Sequence, residues 1–238
     1  MVMLAIETSQ REASVALRDQ SGTIQDERLS PKKRHDDDLL PAIDRLFRRA
    51  GLSPADLRGG AVAVSTGPGG FTGLRIAIAA AKMLAETLQV RLIGVPSALV
   101  AAESYAGEGP IIVALACKNE TFWCTRLERS AVAGHAGDSR VATRPWGIVG
   151  EPGIVHPTSF DPRGVKSIIA DEFFPDAARR RAASANVPIL TPQITARSCL
   201  LVGQLMLERD ETTDPLNLLP LYPREPEAVT LWERRTKA

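Results

Sequence analysis

Along the first hundred residues the spacing of apolar side chains keeps changing, and each change predicts an element. Residues 3–8 form a short apolar run, and residues 13–18 follow with Val15 and Leu17 two apart, the period of a strand with one buried face. Polar residues 9–12 turn between them. Asp19-Gln20-Ser21-Gly22 makes a second turn into residues 23–29, a polar strand suited to a sheet edge. Leu39, Leu40, Ile43, Leu46 and Phe47 then recur at helical spacing, with Asp44, Arg45, Arg48 and Arg49 on the opposite face. Asp36, Asp37 and Asp38 at the head of that helix suit its dipole, and Gly51 closes it. Ser53-Pro54-Ala55-Asp56 reads as a one-turn cap motif. Residues 60–65 predict a buried strand, 67–73 a glycine-rich turn, 74–88 a second helix, 92–95 a strand and 97–105 a third helix.

The order is therefore β-β-β-α-β-α-β-α, a meander followed by crossovers, which gives a mixed sheet with helices packed on it. This is the ribonuclease-H-like order, the half-unit of actin-like folds. Residues 111–117 and 120–127, joined by Lys118-Asn119, begin a second hairpin, and residues 167–170 and 195–208 add a strand and a helix. The second half thus reads as a degenerate copy of the first, with an irregular Gly/Pro-rich stretch over 131–164. The expected class is α/β, an actin-like (ASKHA) fold of two ribonuclease-H-like lobes, residues 1–105 and 106–238, with mixed β-sheets flanked by helices.

Composition narrows the function. The 238 residues are 44% hydrophobic, too apolar for a disordered chain. Twenty-nine basic against 28 acidic residues leave a formal charge of +1, which excludes a dedicated electrostatic nucleic-acid binder unless another chain supplies the positive surface. Arginine provides 23 of the basic residues, a genomic bias before it is chemistry. Cys117, Cys124 and Cys199 form no CxxC spacing, so neither a disulfide framework nor a zinc knuckle is expected, and a reduced intracellular setting is. The start, MVMLAIETSQ, has no basic region ahead of its apolar run, and no run approaches the ~20 residues of a membrane span. A soluble cytoplasmic protein with no membrane partner is the expectation.

The strongest chemical pattern is Gly67-Pro68-Gly69-Gly70-Phe71-Thr72-Gly73-Leu74-Arg75. Glycines at a helix N-terminus free backbone amides for an anion, yet the spacing fits neither the Walker loop nor the dinucleotide fingerprint. A tight strand-to-helix turn, in which glycine permits unusual backbone angles, is the simpler explanation. With Glu7-Thr8-Ser9 at the end of the first strand, an anion site would draw on Thr8, Ser9, Gly69 and Gly70. His35, His135 and His156 are scattered outside any metal-ligand spacing, and no Gly-x-Ser-x-Gly elbow or Cys–His pair is present, so no catalytic or metal residue is named. Seven of the eight residues 74–81 are apolar, so this helix needs cover on both sides, from its own sheet and from a second helix, the other lobe or another protein.

Leu4-Ala5-Ile6-Glu7-Thr8-Ser9 with Ala13-Ser14-Val15-Ala16-Leu17, His35 before Leu39-Leu40-Pro41, the loop from Gly67 to Ile76, and Leu219-Pro220-Leu221-Tyr222-Pro223-Arg224 together resemble the TsaB (YeaZ) family. The likeness is dense over residues 2–105 and thin afterwards; Ala116-Cys117-Lys118 departs from that family's Asp-Ala-Arg, and Gly70 stands where Ser is usual. The loop is shared with the catalytic paralogue TsaD, whose His-x-x-x-His metal pair is replaced here by Pro96-Ser97-Ala98-Leu99-Val100. The resemblance implies a non-catalytic subunit that binds and stabilises a TsaD-like paralogue in forming N6-threonylcarbamoyladenosine beside the tRNA anticodon. It also implies a TsaE-like ATPase as a further partner, a homodimer when alone, tRNA met only through the complex, and no cofactor of its own, ATP and metal sitting on partner subunits. The contacts would come from helices 36–50 and 74–86, through Phe71, Thr72, Arg75, Ile76, Ala79, Lys82 and Met83. A different class of protein remains open, a small actin-like ATPase or kinase with Glu7, Thr8 and residues 67–73 around the phosphates. The peptidase M22 label attached to the family has neither a metal pair nor a nucleophile–base pair to support it here.

Overall fold

A computed structural model of the chain describes residues 1–30, 35–117, 120–129, 145–223 and 232. His135, Arg224 and the turn Lys118-Asn119 lie outside them. The first three strands, β1 (Met3–Glu7), β2 (Ser14–Arg18) and β3 (Ile24–Arg28), form the antiparallel meander. Helix α1 (His35–Arg49) follows, then β4 (Ala61–Gly67), α2 (Phe71–Leu88), β5 (Arg91–Pro96) and α3 (Ser97–Glu103). Between α1 and β4, Asp56 accepts from both the backbone N–H and the hydroxyl of Ser53 at 2.7 and 2.8 Å, closing a single 3-10 turn as the motif predicts. The sheet order is β3-β2-β1-β4-β5, with β4 and β5 parallel to β1 and the polar β3 at the edge.

The second sheet repeats this plan. Strands β6 (Ile111–Ala116), β7 (Phe122–Arg129) and β8 (Trp146–Val155) form the meander, and β9 (Ser167–Ala170) and β10 (Ile189–Leu190) join in parallel, in the order β10-β9-β6-β7-β8. Helix α4 (Asp176–Ser184) stands between β9 and β10 as α2 stands between β4 and β5, and α5 (Ala196–Glu208) follows β10 as α3 follows β5. Where the first lobe has α1, residues 156–166 cross the sheet without a helix.

Three findings correct the expected elements. β8 occupies the second part of the stretch read as irregular; among the described residues it pairs only with β7, and as an exposed edge with three internal glycines it lacks alternating apolar positions. α4 was not expected, because its inward face is only Ala178 and Ala182 beneath three consecutive arginines. α2 begins at Phe71 rather than at 74, so residues 71–73 belong to its first turn and the loop is shorter.

Alternation along the strands divides the core. Met3 and Ala5 of β1, Ala61 and Ala63 of β4, and Ile111, Val113 and Leu115 of β6 face a central layer built from α3 and α5. Leu4, Ile6, Val62 and Val64 face outward under α1 and α2. α5 lies close because Gly203 carries no side chain: a Cβ there would meet that of Ala63 at 2.6 Å. Thr195 caps α5 by accepting from Ser198 N–H, and the Ala196 N–H donates to the Ser14 hydroxyl at 2.9 Å. Packing therefore crosses the chain midpoint, since α5 lies mainly on β1, β2, β4 and β5. Among the described residues no helix is long and apolar enough to cross a membrane.

Candidate partner-binding face and its head loop

α2 runs along the outer side of the first sheet. Gly73, Leu74, Ala77, Ile78, Ala81 and Ala85 are buried against the sheet and α1, three to four residues apart as one helical face requires. Among the described residues nothing packs over the whole of the opposite face. Phe71 is 52% exposed and Met83 46%; Thr72, Arg75 and Ala79 are exposed between them, with Ile76 and Lys82 half-buried at the margins. The structure thus gathers all seven residues named as contacts onto one helix, five of them open to solvent. Leu40 of α1 is exposed as well.

The head of this face is built by a segment 150 residues away. After α5 the chain returns across the first sheet: Thr213 N–H donates to Leu92 O at 2.7 Å, Gly94 N–H to the Thr213 hydroxyl at 3.1 Å, and Leu218 is buried in the outer core. Leu221 N–H then donates to Thr66 O at 2.7 Å, and the ring of Tyr222 comes to rest 4.8 Å from that of Phe71, with the Arg75 guanidinium 5.1 Å from the Phe71 centroid. Nothing local in the sequence pairs Tyr222 with Phe71; both lie in stretches that resemble the TsaB family, and that shared membership was the one available pointer.

Behind Phe71, the turn after β1 grips the glycine loop. Gly70 N–H donates to Ser9 O at 2.7 Å and the Thr8 hydroxyl to Gly73 O at 2.7 Å. A Cβ on Gly69 would sit 2.4 Å from Ser9 O, so only glycine permits the approach. A pocket of about 380 Å³ lies beside this contact, lined by residues 8–11 and 70–73. Of the four anion-site candidates, Thr8, Ser9 and Gly70 line it, while Gly69 is spent on the contact with Ser9.

Glu7 does not reach that pocket. Its side chain is wholly buried, Oε1 accepts from Ser9 N–H at 2.7 Å, and Oε2 has no hydrogen-bond partner among the described residues. Burial pushes its carboxyl above the ordinary range, against the weaker opposing pull of Ser9 and Ser65. The Ser65 hydroxyl lies 3.0 Å from that of Ser97, and the buried Cys199 thiol is pushed up by burial and by Glu7. A carboxyl sealed in this way is poorly placed to face bound phosphates, where the ATPase reading set it.

A family model described as TsaD: tRNA N6-adenosine threonylcarbamoyltransferase matches residues 24–141. The tRNA threonylcarbamoyladenosine biosynthesis protein TsaB of Bacillus subtilis is 33% identical over 46% of this chain and 45% of its own length. Its Escherichia coli namesake is 28% identical over 61% of this chain and 63% of its own. The chain is similar to the TsaB (YeaZ) proteins over part of its length. It spans less than two thirds of the length of these curated relatives. YeaZ from Pseudomonas aeruginosa superposes with a TM-score of 0.76 at 21% identity, covering 93% of this chain and 99% of that one. That likeness speaks to the fold, an actin-like pair of ribonuclease-H-like lobes, as the element order implied.

Proposed function

We propose that this chain is a non-catalytic subunit in the biosynthesis of threonylcarbamoyladenosine on tRNA, binding a TsaD-like catalytic paralogue through α2. The carrying observation is the uncovered face of α2, an apolar stripe from Phe71 to Met83 headed by the Phe71–Tyr222 pair. A water-soluble helix with that much apolar surface gains by burying it, and Ala79 at its middle lets another helix approach closely. The likeness to TsaB proteins and to the TsaD family model supports the kind of partner. In this reading a TsaE-like ATPase joins the pair, ATP and metal sit on the partner subunits, and the same face closes a homodimer when the paralogue is missing.

Light scattering on a mixture with the TsaD-like paralogue of the same source tests it. A one-to-one complex is expected to replace any homodimer. Because Ala79 is exposed, Ala79→Arg leaves the fold intact and places a long cation in the contact, so the variant is expected to elute unassociated. Wild-type association of A79R would show that the face lies elsewhere, and two unshifted wild-type peaks at micromolar concentration would overturn the partner reading.

A further inference from the structure

The outer side of the second sheet carries a second surface with its own chemistry. Residues 156–166 cross it in place of a helix, anchored by Phe160, whose ring stands 5.1 Å from Phe122 and 5.8 Å from Phe174. Two arginines pin this segment by its carbonyls: Arg126 donates to Asp161 O at 3.0 Å, and Arg181 of α4 donates through Nε to Phe160 O at 2.6 Å. Between the segment and α4 opens a groove of about 660 Å³, lined by Thr158, Arg163, Arg180, Arg181 and Ser184 among others.

No acidic side chain is among the described residues lining it. Arg163 is held by Asp161 through two bonds of 2.9 Å, a pairing that keeps the Asp161 carboxyl well below the usual range. Arg181 spends only Nε on Phe160, leaving both Nη groups. Arg180 is exposed; its carbonyl accepts from the Ser184 hydroxyl at 2.9 Å, and its guanidinium has no hydrogen bond or ion pair among the described residues. Three guanidinium groups thus line the groove, while the Ser184 hydroxyl donates to Arg180 O and that of Thr158 lies 2.9 Å from His156 Nδ1.

We propose that this groove binds the phosphate backbone of RNA, and that in the assembled complex it holds part of the tRNA. The inference rests on the proposed role in tRNA modification for the identity of the RNA. Guanidinium forks match phosphate oxygens in pairs. No aromatic residue lines the groove, since Phe122, Phe160 and Phe174 are buried beneath it, so no base is stacked and the backbone is what is read. The site sits on the second lobe and the α2 face on the first, so both can be occupied together. With a formal charge of only +1 the chain alone holds RNA weakly, and the groove adds to what the complex holds.

The experiment is a titration of fluorescein-labelled tRNA with the reconstituted complex over about 50 to 200 mM salt, repeated with Arg180→Gln and with the Arg180→Gln/Arg181→Gln pair. Each lost phosphate contact is expected to flatten the slope of log Kd against log salt by about 0.7–0.9, so the double variant loses about twice that. R180Q removes no internal bond, so its melting temperature stays at the wild-type value. Unchanged slopes in an assembled complex overturn the groove and leave the partner reading standing. If no complex assembles, the partner reading fails, and the groove is decided by the chain alone at low salt: the double variant is expected to bind the labelled tRNA about tenfold more weakly, and equal binding overturns it. Full displacement of the tRNA by an equal concentration of a mononucleotide would mark a small-anion site and also overturn the RNA reading.

Discussion

The two lobes share a strand order and differ in almost everything laid over it. Met3 pairs with Ala61 where Ile111 pairs with Ser167, so counting along the strands sets Glu7 in the place of Leu115 and Ser65 in that of Asp171. On the inner side the first lobe therefore ends its strands in a sealed polar cluster where the second has a leucine. On the outer side the first lobe carries two helices and leaves one of them half bare; the second carries one helix, an aromatic trio and a pinned crossing. Backbone pairing and the alternation of side chains fix the topology, and both copies obey them. What covers each face is free to diverge, and there the lobes differ.

Because α3 and α5 are packed between both sheets, the lobes are expected to unfold together in spite of their different covers. Phe122→Ala, at the centre of the trio, should cost about 3–5 kcal/mol, and Phe47→Ala under α1 a similar amount. Urea unfolding followed by tryptophan fluorescence and by circular dichroism should give a single coincident transition for both variants. An early separate step in F122A alone would mean that the second lobe is its own cooperative unit.

The polar cluster gives the next effect. A carboxyl whose folded pKa is raised binds its proton more tightly in the native state, so stability falls as pH climbs above the ordinary value of 4.5 and levels off beyond the raised one. Glu7→Gln removes that fall, and at neutral pH it should be more stable than wild type by roughly 1–3 kcal/mol, the cost of a buried polar atom, here Oε2, left without a partner. Parallel stability–pH curves for the two proteins would show instead that the carboxylate is fully compensated, and that the contrast with Leu115 is one of shape alone. Tyr222→Ala is the smallest change: loss of the ring pair should cost about 0.5–1.5 kcal/mol in thermal unfolding and weaken association with the TsaD-like paralogue. Unaltered association would detach the returning segment from the binding face.

Most of the first lobe was legible because its elements advertise themselves locally. The alternation at Val15 and Leu17, the helical recurrence from Leu39 to Phe47 and the Ser53–Asp56 cap each need only a few neighbouring residues. The second lobe was legible in part. The β6–β7 hairpin and β9 are apolar runs, but β8 is an exposed edge and α4 hides its buried face in two alanines, so neither carries the amphipathic contrast that marks an element. At the candidate face, the apolar excess of residues 74–81 announced that the helix wanted cover, and only the packing revealed which stripe goes without. Tyr222 over Phe71 and the arginine groove depend on contacts between distant segments, which no local period encodes.

The returning segment also sets the order in which the molecule can be finished. When residue 105 has been synthesised, every strand of the first sheet exists, yet the inner surface around Met3, Ala63 and Val95 still lacks α5. Translation at about 5–20 residues per second puts α5 roughly 5–20 s behind. Through that interval an apolar sheet face waits at the ribosome exit, open to chaperones or to a wrong partner. The lobe that is made first is completed last.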